Sequence, residues 1–391
     1  MRTSEYRTKT IMKEMDNRPL CKDYWPVGLD IGYSGVKVFS PNAAVCFPAY
    51  AVKNEGVTHM RIGGTDDRDP RSILYRDETG EWEVGALAQN RISVSDTSAG
   101  SLAIYGRSRY YSPMFKVLLR VGMASGMRTN RYGEPGVKPI KVISGLPPKY
   151  LRNDAPDLKA VLSGKHEFEV CFGNGPWEHF SFTLTENDIG IIDQPQGTLF
   201  SISTNSSMGL MADAQKYFKS RVLVIDPGFG TMDLFPMLQG AINRDNCQTF
   251  PELGMKQVLK QTTEEIYEKY HFEIAVPAFQ KFLEDGTVIR REGRKLTKVP
   301  FDDILEKNSR EVCEQAIERL MEIYNPPLEF DYMVLSGGTG AAWSNWFRNS
   351  EYFRDCDTVS IISGNQGDPS LPYIFSNVRG YYIFAFSCFR R

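Results

Sequence analysis

Apolar runs and glycine turns alternate along most of this chain, and their spacing predicts the elements. "VGLDIGYSGVKVFS" (Val27–Ser40) gives two β-rich runs around a glycine-containing turn, a hairpin pattern. "VLVIDPGFGTMDLF" (Val222–Phe235) repeats it, with an aspartate and two glycines in the corner between two apolar runs. "MFKVLLRVGMAS" has helical spacing, and "IKVISGLPPKYL" reads as a buried strand stopped at Pro147-Pro148. "NDAPDLKAVLSG" reads as a capped helix opening at Asn153 or Asp154, and "HEFEVCFGNGPWEHFSFTLTE" as a hairpin turning at Gly173-Asn174-Gly175. A helical stripe runs through Met255, Val258, Leu259, Thr262 and Ile266. A second runs through Val312, Ala316, Ile317, Leu320, Met321 and Tyr324, closed by Pro326-Pro327. "FDYMVLSGGTGAAW" then reads as strand, glycine turn and helix start. Hairpins that feed helices, followed by strand-to-helix units, predict α/β architecture in two lobes.

Residues 1–26 are polar and mixed in charge, six Lys/Arg against four Asp/Glu. They read as a mobile extension, or as an arm that docks on a neighbouring subunit through Tyr24 and Trp25. The chain has 391 residues, 41% hydrophobic and 24% charged, enough for two domains with sizeable cores. A net charge of −2 gives no broad basic surface, so direct nucleic-acid binding is not expected. Seven scattered cysteines without a C-x-x-C pair fit reduced thiols and a cytoplasmic setting. No apolar run approaches a membrane span. The four histidines lack metal-ligand spacing, although His166 and His179 could face each other across their hairpin.

The chemistry concentrates in three corners. "LDIGYSGVK" and "IDPGFGTMD" share the order apolar, Asp, x, Gly, aromatic, small. In each, a carboxylate (Asp30 or Asp226) ends a strand, and glycines let consecutive backbone N–H groups point at an anion. Two such hairpins facing each other would grip a polyphosphate from both sides. Bare aspartates would repel that ligand, so the pair implies a cation. Mg²⁺ prefers oxygen ligands and keeps its waters, so both carboxylates would reach it through water. Lys37 is placed to neutralise phosphate charge. The third corner, "VLSGGTG" (Val334–Gly340), lets a base or ribose lie against backbone at a helix start. Neither a G-x-x-x-x-G-K-[ST] loop nor a dinucleotide G-x-G-x-x-G pattern is present.

This order of corners resembles the phosphate-1, phosphate-2 and adenosine motifs of the actin, heat-shock chaperone and sugar-kinase superfamily. Within it the chain looks most like the plasmid-segregating bacterial actins of the ParM/Alp type. "VISGLPPKYL", "DQPQGTLFS" and "LPYIFSNVRGYYIF" support that branch. The resemblance covers roughly 27–391 and implies a two-lobed actin-like ATPase fold, each lobe a mixed sheet flanked by helices, with nucleotide in the cleft. Residues 1–26 stand outside it as an extension without a counterpart in the family, and it implies a first domain of 27–195 plus 362–391 and a second of 196–361. Carried over, Gly32, Tyr33, Ser34, Gly35 and Lys37 hold the β- and γ-phosphates. Gly228, Phe229, Gly230 and Thr231 cradle them from the second lobe, and Gly337, Gly338 and Thr339 line the nucleoside. Asp30 and Asp226 order the shell of Mg²⁺, Gln196 orients the attacking water, and Lys281 approaches the base. The loop 61–110 has no match in the family pattern.

The function implied is a filament protein that binds and hydrolyses ATP, with GTP as the alternative, and drives plasmid segregation through a DNA-bound adaptor. A small-metabolite kinase of the same fold, or a non-polymerising scaffold ATPase, would use the same corners. The kinase needs an additional carboxylate base, for which no convincing aspartate is found.

Overall fold

The computed structural model describes residues 2–15, 19–54, 69, 71–92, 107–130, 133–324 and 329–389. Residues 61–68, 70 and 93–106 of the loop 61–110 lie outside them. Two lobes, each built on a six-stranded sheet, flank a deep cleft.

The first-lobe sheet runs Ile11–Glu14, Ala43–Pro48, Gly35–Phe39, Trp25–Ile31, Ile140–Leu146, Ile189–Asp193. The strand Trp25–Ile31 is antiparallel to Gly35–Phe39, which sets Asp30 opposite Lys37, and parallel to Ile140–Leu146. Because side chains alternate across a strand, Val27 and Leu29 point to one face, where Gly122 and Gly126 bring the helix Pro113–Met127 close. Gly28 points to the other face. A Cβ there would stand 2.3 Å from the carbonyl oxygen of Val378, so only glycine lets the helix Ser376–Cys388 lie on the sheet. A second, five-stranded sheet extends this lobe, in the order Trp177–Leu184, Gly164–Phe172, Ile73–Asp77, Gly80–Val84, Ala51–Lys53.

The second-lobe sheet centres on the hairpin Arg221–Pro227 and Met232–Leu238, followed by the parallel strands Tyr332–Leu335 and Ser360–Ser363. One face carries the helices Met255–Tyr270, Asp302–Ile323 and Gly337–Arg348. All five residues of the first predicted stripe are buried, and in the second only Met321 stays part-exposed. The other face receives Leu199 and Ile202 of the helix Gln194–Ser203. That helix also lies against Ser376–Cys388. The two cross backbone to backbone at Gly197 and Gly380, and so connect the lobes.

Five expectations need correction. Residues 2–15 are not a free extension: Ile11–Glu14 pairs antiparallel with Ala43–Pro48 and forms the sheet edge. Tyr24 and Trp25 serve their own chain rather than a neighbour. Trp25 donates from Nε1 to the Gly126 carbonyl at 2.9 Å, and the Tyr24 hydroxyl donates to the Phe386 carbonyl at 2.8 Å. The helix expected from Asn153 spans Pro148–Leu162, because proline at the first helical position lacks only an N–H that would be unpaired there anyway. The chain returns to the first lobe after Ser363, since position 362 lies inside a second-lobe strand. In the hairpin of Gly164–Phe172 and Trp177–Leu184, His166 sits opposite Phe182 and His179 opposite Glu169, so the two histidines do not face each other.

Candidate functional site

Two hairpin corners, one from each lobe, open on a single cavity of about 920 Å³. Asp30, Gly32, Tyr33, Ser34 and Lys37 line it from the first lobe, and Asp226, Gly228, Phe229, Gly230 and Thr231 from the second. Gly337, Gly338 and Thr339, at the start of the helix Gly337–Arg348, close one side. Gly35 lies just behind this wall, under the side chain of Thr8.

The first corner turns within four residues, the amide of Gly32 donating to the carbonyl of Gly35 at 3.0 Å. Strand register places Lys37 across from Asp30, and its Nζ donates to Asp30 Oδ2 at 2.8 Å. Burial pulls the lysine pKa down, but the charge and hydrogen bond of Asp30 outweigh it and hold the ammonium above its usual value. Lys37 therefore stays charged, an anchored cation beside the loop.

The second corner repeats the geometry, with the amide of Gly228 donating to the carbonyl of Thr231 at 2.7 Å. Asp226 is buried. Its Oδ2 accepts from Gln194 Nε2 at 2.7 Å and from Asn377 Nδ2 at 2.9 Å. Burial nevertheless raises its pKa, the nearby charge of Asp30 adding to the effect and that of Lys37 offsetting it. Glycine at 337 is required by both space and backbone: its φ is +73°, and a Cβ would stand 2.8 Å from Asp226 Oδ1.

Two predicted residues lie elsewhere. Gln196 is half-buried and does not line the cavity, whereas Gln194 lines it and holds Asp226. Lys281 also lies outside the cavity lining. Its Nζ donates to the Ile92 carbonyl at 3.2 Å, close to where Ile92 packs on Ala278. Among the wall residues that escaped the sequence reading, Gln194, Asn377 and Asp233 surround Asp226. Asp233 pairs in register with Asp226, and its Oδ2 accepts from Thr231 Oγ1 at 2.9 Å. Burial pushes its carboxyl up to about 7, the Asp226 charge adding to the shift and the Thr249 and Thr231 hydroxyls only partly offsetting it. Alternation after Thr231 in "GTMD" would have placed Asp233 on the same side and was the available signal.

The donor set suits a hydrated cation rather than a chelated one. Among the described residues no three His, Cys, Asp or Glu side chains converge as metal ligands. Asp30 and Asp226 both face the cavity, where a small hard ion keeping its waters would find oxygen acceptors. The two glycine corners of the wall, with the ammonium of Lys37 fixed beside the first, suit phosphate.

Residues 28–197 match the family described as "Actin like proteins N terminal domain". The chain has the actin-like fold. It superposes on a non-polymerisable quadruple mutant of pCBH ParM with a TM-score of 0.68 at 18% identity, covering 93% of this chain and 99% of that one. Against a ParM from a 15-stranded filament of Clostridium botulinum the TM-score is 0.66 at 17% identity, over 93% and 99% of the two chains. Against an archaeal actin homolog in complex with ADP it is 0.59 at 14% identity, over 91% and 97%. No curated protein matches in sequence. Among the described residues no helix of this actin-like chain is long and apolar enough to cross a membrane.

Proposed function

We propose that this actin-like chain binds ATP between its lobes, with GTP as the alternative, hydrolyses it slowly, and polymerises into filaments that move plasmid DNA through a DNA-bound adaptor in the cytoplasm. One observation carries the reading: the two Asp-Gly corners, nearly two hundred residues apart in sequence, line the same interlobe cavity. The similarity to ParM structures, one of them a filament, and to an actin homolog holding ADP agrees with it.

In this reading the amides of both corners and Lys37 bind the phosphates, and Gly337, Gly338 and Thr339 border the nucleoside. Asp30 and Asp226 would hold Mg²⁺ through its waters, and the ion would neutralise phosphate charge. Gln194, fixed by its bond to Asp226, takes the water-orienting role first given to Gln196, since a neutral amide positions water without competing for the cation. A head-to-tail contact that does not close on itself extends into an open helix, so one asymmetric interface suffices for a filament.

Sedimentation with Mg-ATP, with Mg-GTP and without nucleotide tests this. Nucleotide-dependent pelleting with phosphate release is expected, and Asp226→Ala is expected to abolish the release while leaving the chain folded. Turnover undiminished in that variant would remove the assigned mechanism, and a supernatant unchanged by either nucleotide would remove the filament.

A further inference from the structure

The N-terminal residues touch both lobes across the cleft. The turn Thr3–Tyr6 sits on the second lobe, with Tyr6 buried in that lobe's core and Thr3 against Gly286. Thr8 then passes over the first phosphate-type corner: a Cβ on Gly35 would meet its methyl group at 2.9 Å. From Ile11 the segment is an edge strand of the first lobe. Tyr6, Arg7, Thr8 and Lys9 all form part of the cavity wall.

Arg7 lies where the lobes meet. Its Nε and Nη2 donate to Gln89 Oε1 at 3.2 and 3.0 Å, and Nη2 also to Asn90 Oδ1 at 3.3 Å, both on the first-lobe helix Ala86–Arg91. Its Nη1 reaches Glu284 Oε2 of the second lobe at 3.4 Å. Beneath it the lobes meet directly. Gln89 Nε2 donates to Gln280 Oε1 at 3.1 Å, and Ala88 and Ile92 pack on Ala278. Glu284 is 55% exposed, so its ion pair with Arg7 is weak, and the fork on the Gln89 carboxamide is the stronger attachment. Sheet pairing needs only residues 11–14, so completing the sheet does not account for the turn, the guanidinium bridge or the burial of Tyr6.

We propose that residues 3–9 are an interlobe latch, with Arg7 bridging the lobes at the cleft mouth, and that its release sets how fast the cleft opens and exchanges its occupant. The occupant is the nucleoside triphosphate of the proposed function; the latch itself does not depend on what fills the cleft. Opening would separate Gln89 from Gln280 and free one attachment of the strap, while the edge strand keeps it tethered to the first lobe.

Two engineered proteins test this in opposite directions. In Arg7→Ala, amide hydrogen exchange without nucleotide is expected to rise roughly tenfold in Ala86–Arg91 and Val276–Phe279, the scale of one or two lost hydrogen bonds. Exchange in the buried strand Arg221–Pro227 should not change. Release of a fluorescent ATP analogue with Mg²⁺ should quicken by a similar factor. Conversely, Thr3 Cβ lies 3.6 Å from the position of a Cβ on Gly286, within the range of about 3.5–4.5 Å that a disulfide spans. Gly286 has a φ of +65°, which strains any side chain there, so the comparison is within one variant. Oxidised Thr3→Cys/Gly286→Cys protein should exchange more slowly at both helices than the same protein reduced. Unchanged exchange at the two helices in both proteins overturns the latch. Failure of the wild-type chain to bind any nucleotide overturns the proposed function instead, and hydrogen exchange still decides the latch.

Discussion

Two glutamines two positions apart, Gln194 and Gln196, illustrate how a single residue's role depends on helix phase. The helix Gln194–Ser203 begins as the chain leaves the first-lobe sheet, with Pro195 in its first turn. Two residues along a helix rotate a side chain by about 200°, so when Gln194 reaches Asp226 its neighbour Gln196 must point away. Gln194→Ala is expected to lower kcat on the order of 100-fold, the scale of a misplaced reacting group, with nucleotide affinity little changed. Gln196→Ala should leave both near wild type. Single-turnover phosphate release beside equilibrium binding measures the split, and equal effects of the two substitutions would return the role to a shared structural one. Gln196 came from the resemblance carried by "DQPQGTLFS", two positions from the glutamine that holds Asp226; the helix phase was not legible, because the first helical residue is fixed by where the preceding strand ends.

Among the elements, short-range signals read well and long-range ones did not. The Asp-Gly corners are set by residues within a single turn, and the helical stripes by side chains three and four apart, so both stood in the sequence. The edge strand Ile11–Glu14 did not, because its burial alternates only between part-exposed and exposed and its partner lies some thirty residues on. The crossing of Gln194–Ser203 with Ser376–Cys388 was equally hidden, although Gly197 and Gly380 were its trace. A Cβ on Gly380 would stand 1.8 Å from the carbonyl oxygen of Gly197, with backbone on both sides and no flexible side chain to yield. Gly380→Ala should therefore cost about 3 kcal/mol from forced separation of the helices, against a gain of at most about 1 kcal/mol in helix propensity. Urea unfolding should show the loss, and a stabilised variant would mean that the helices do not cross so closely.

For the whole molecule, the decisive feature is that the cavity belongs to neither lobe alone. Each lobe has its own apolar core, so either could hold together with the cleft open, and a ligand touching both corners favours the closed arrangement. A ligand that binds only the folded state at 100 times its Kd adds about 2.7 kcal/mol. Set against the usual unfolding entropy per residue for a chain of 391 residues, that is a rise in Tm of roughly 3 °C. Mg-ATP is expected to produce a shift of this size in wild type. Lys37→Ala should lose most of it, because it removes the part-buried cation that Asp30 holds beside the first corner. The location of the protection matters more than its size. Hydrogen exchange with Mg-ATP should slow at both corners, around Gly32 and around Gly228, because closing the cleft places both against the same phosphates. Protection confined to one corner would mean that the ligand rests on a single lobe, and a site of that kind would leave nucleotide unable to drive closure.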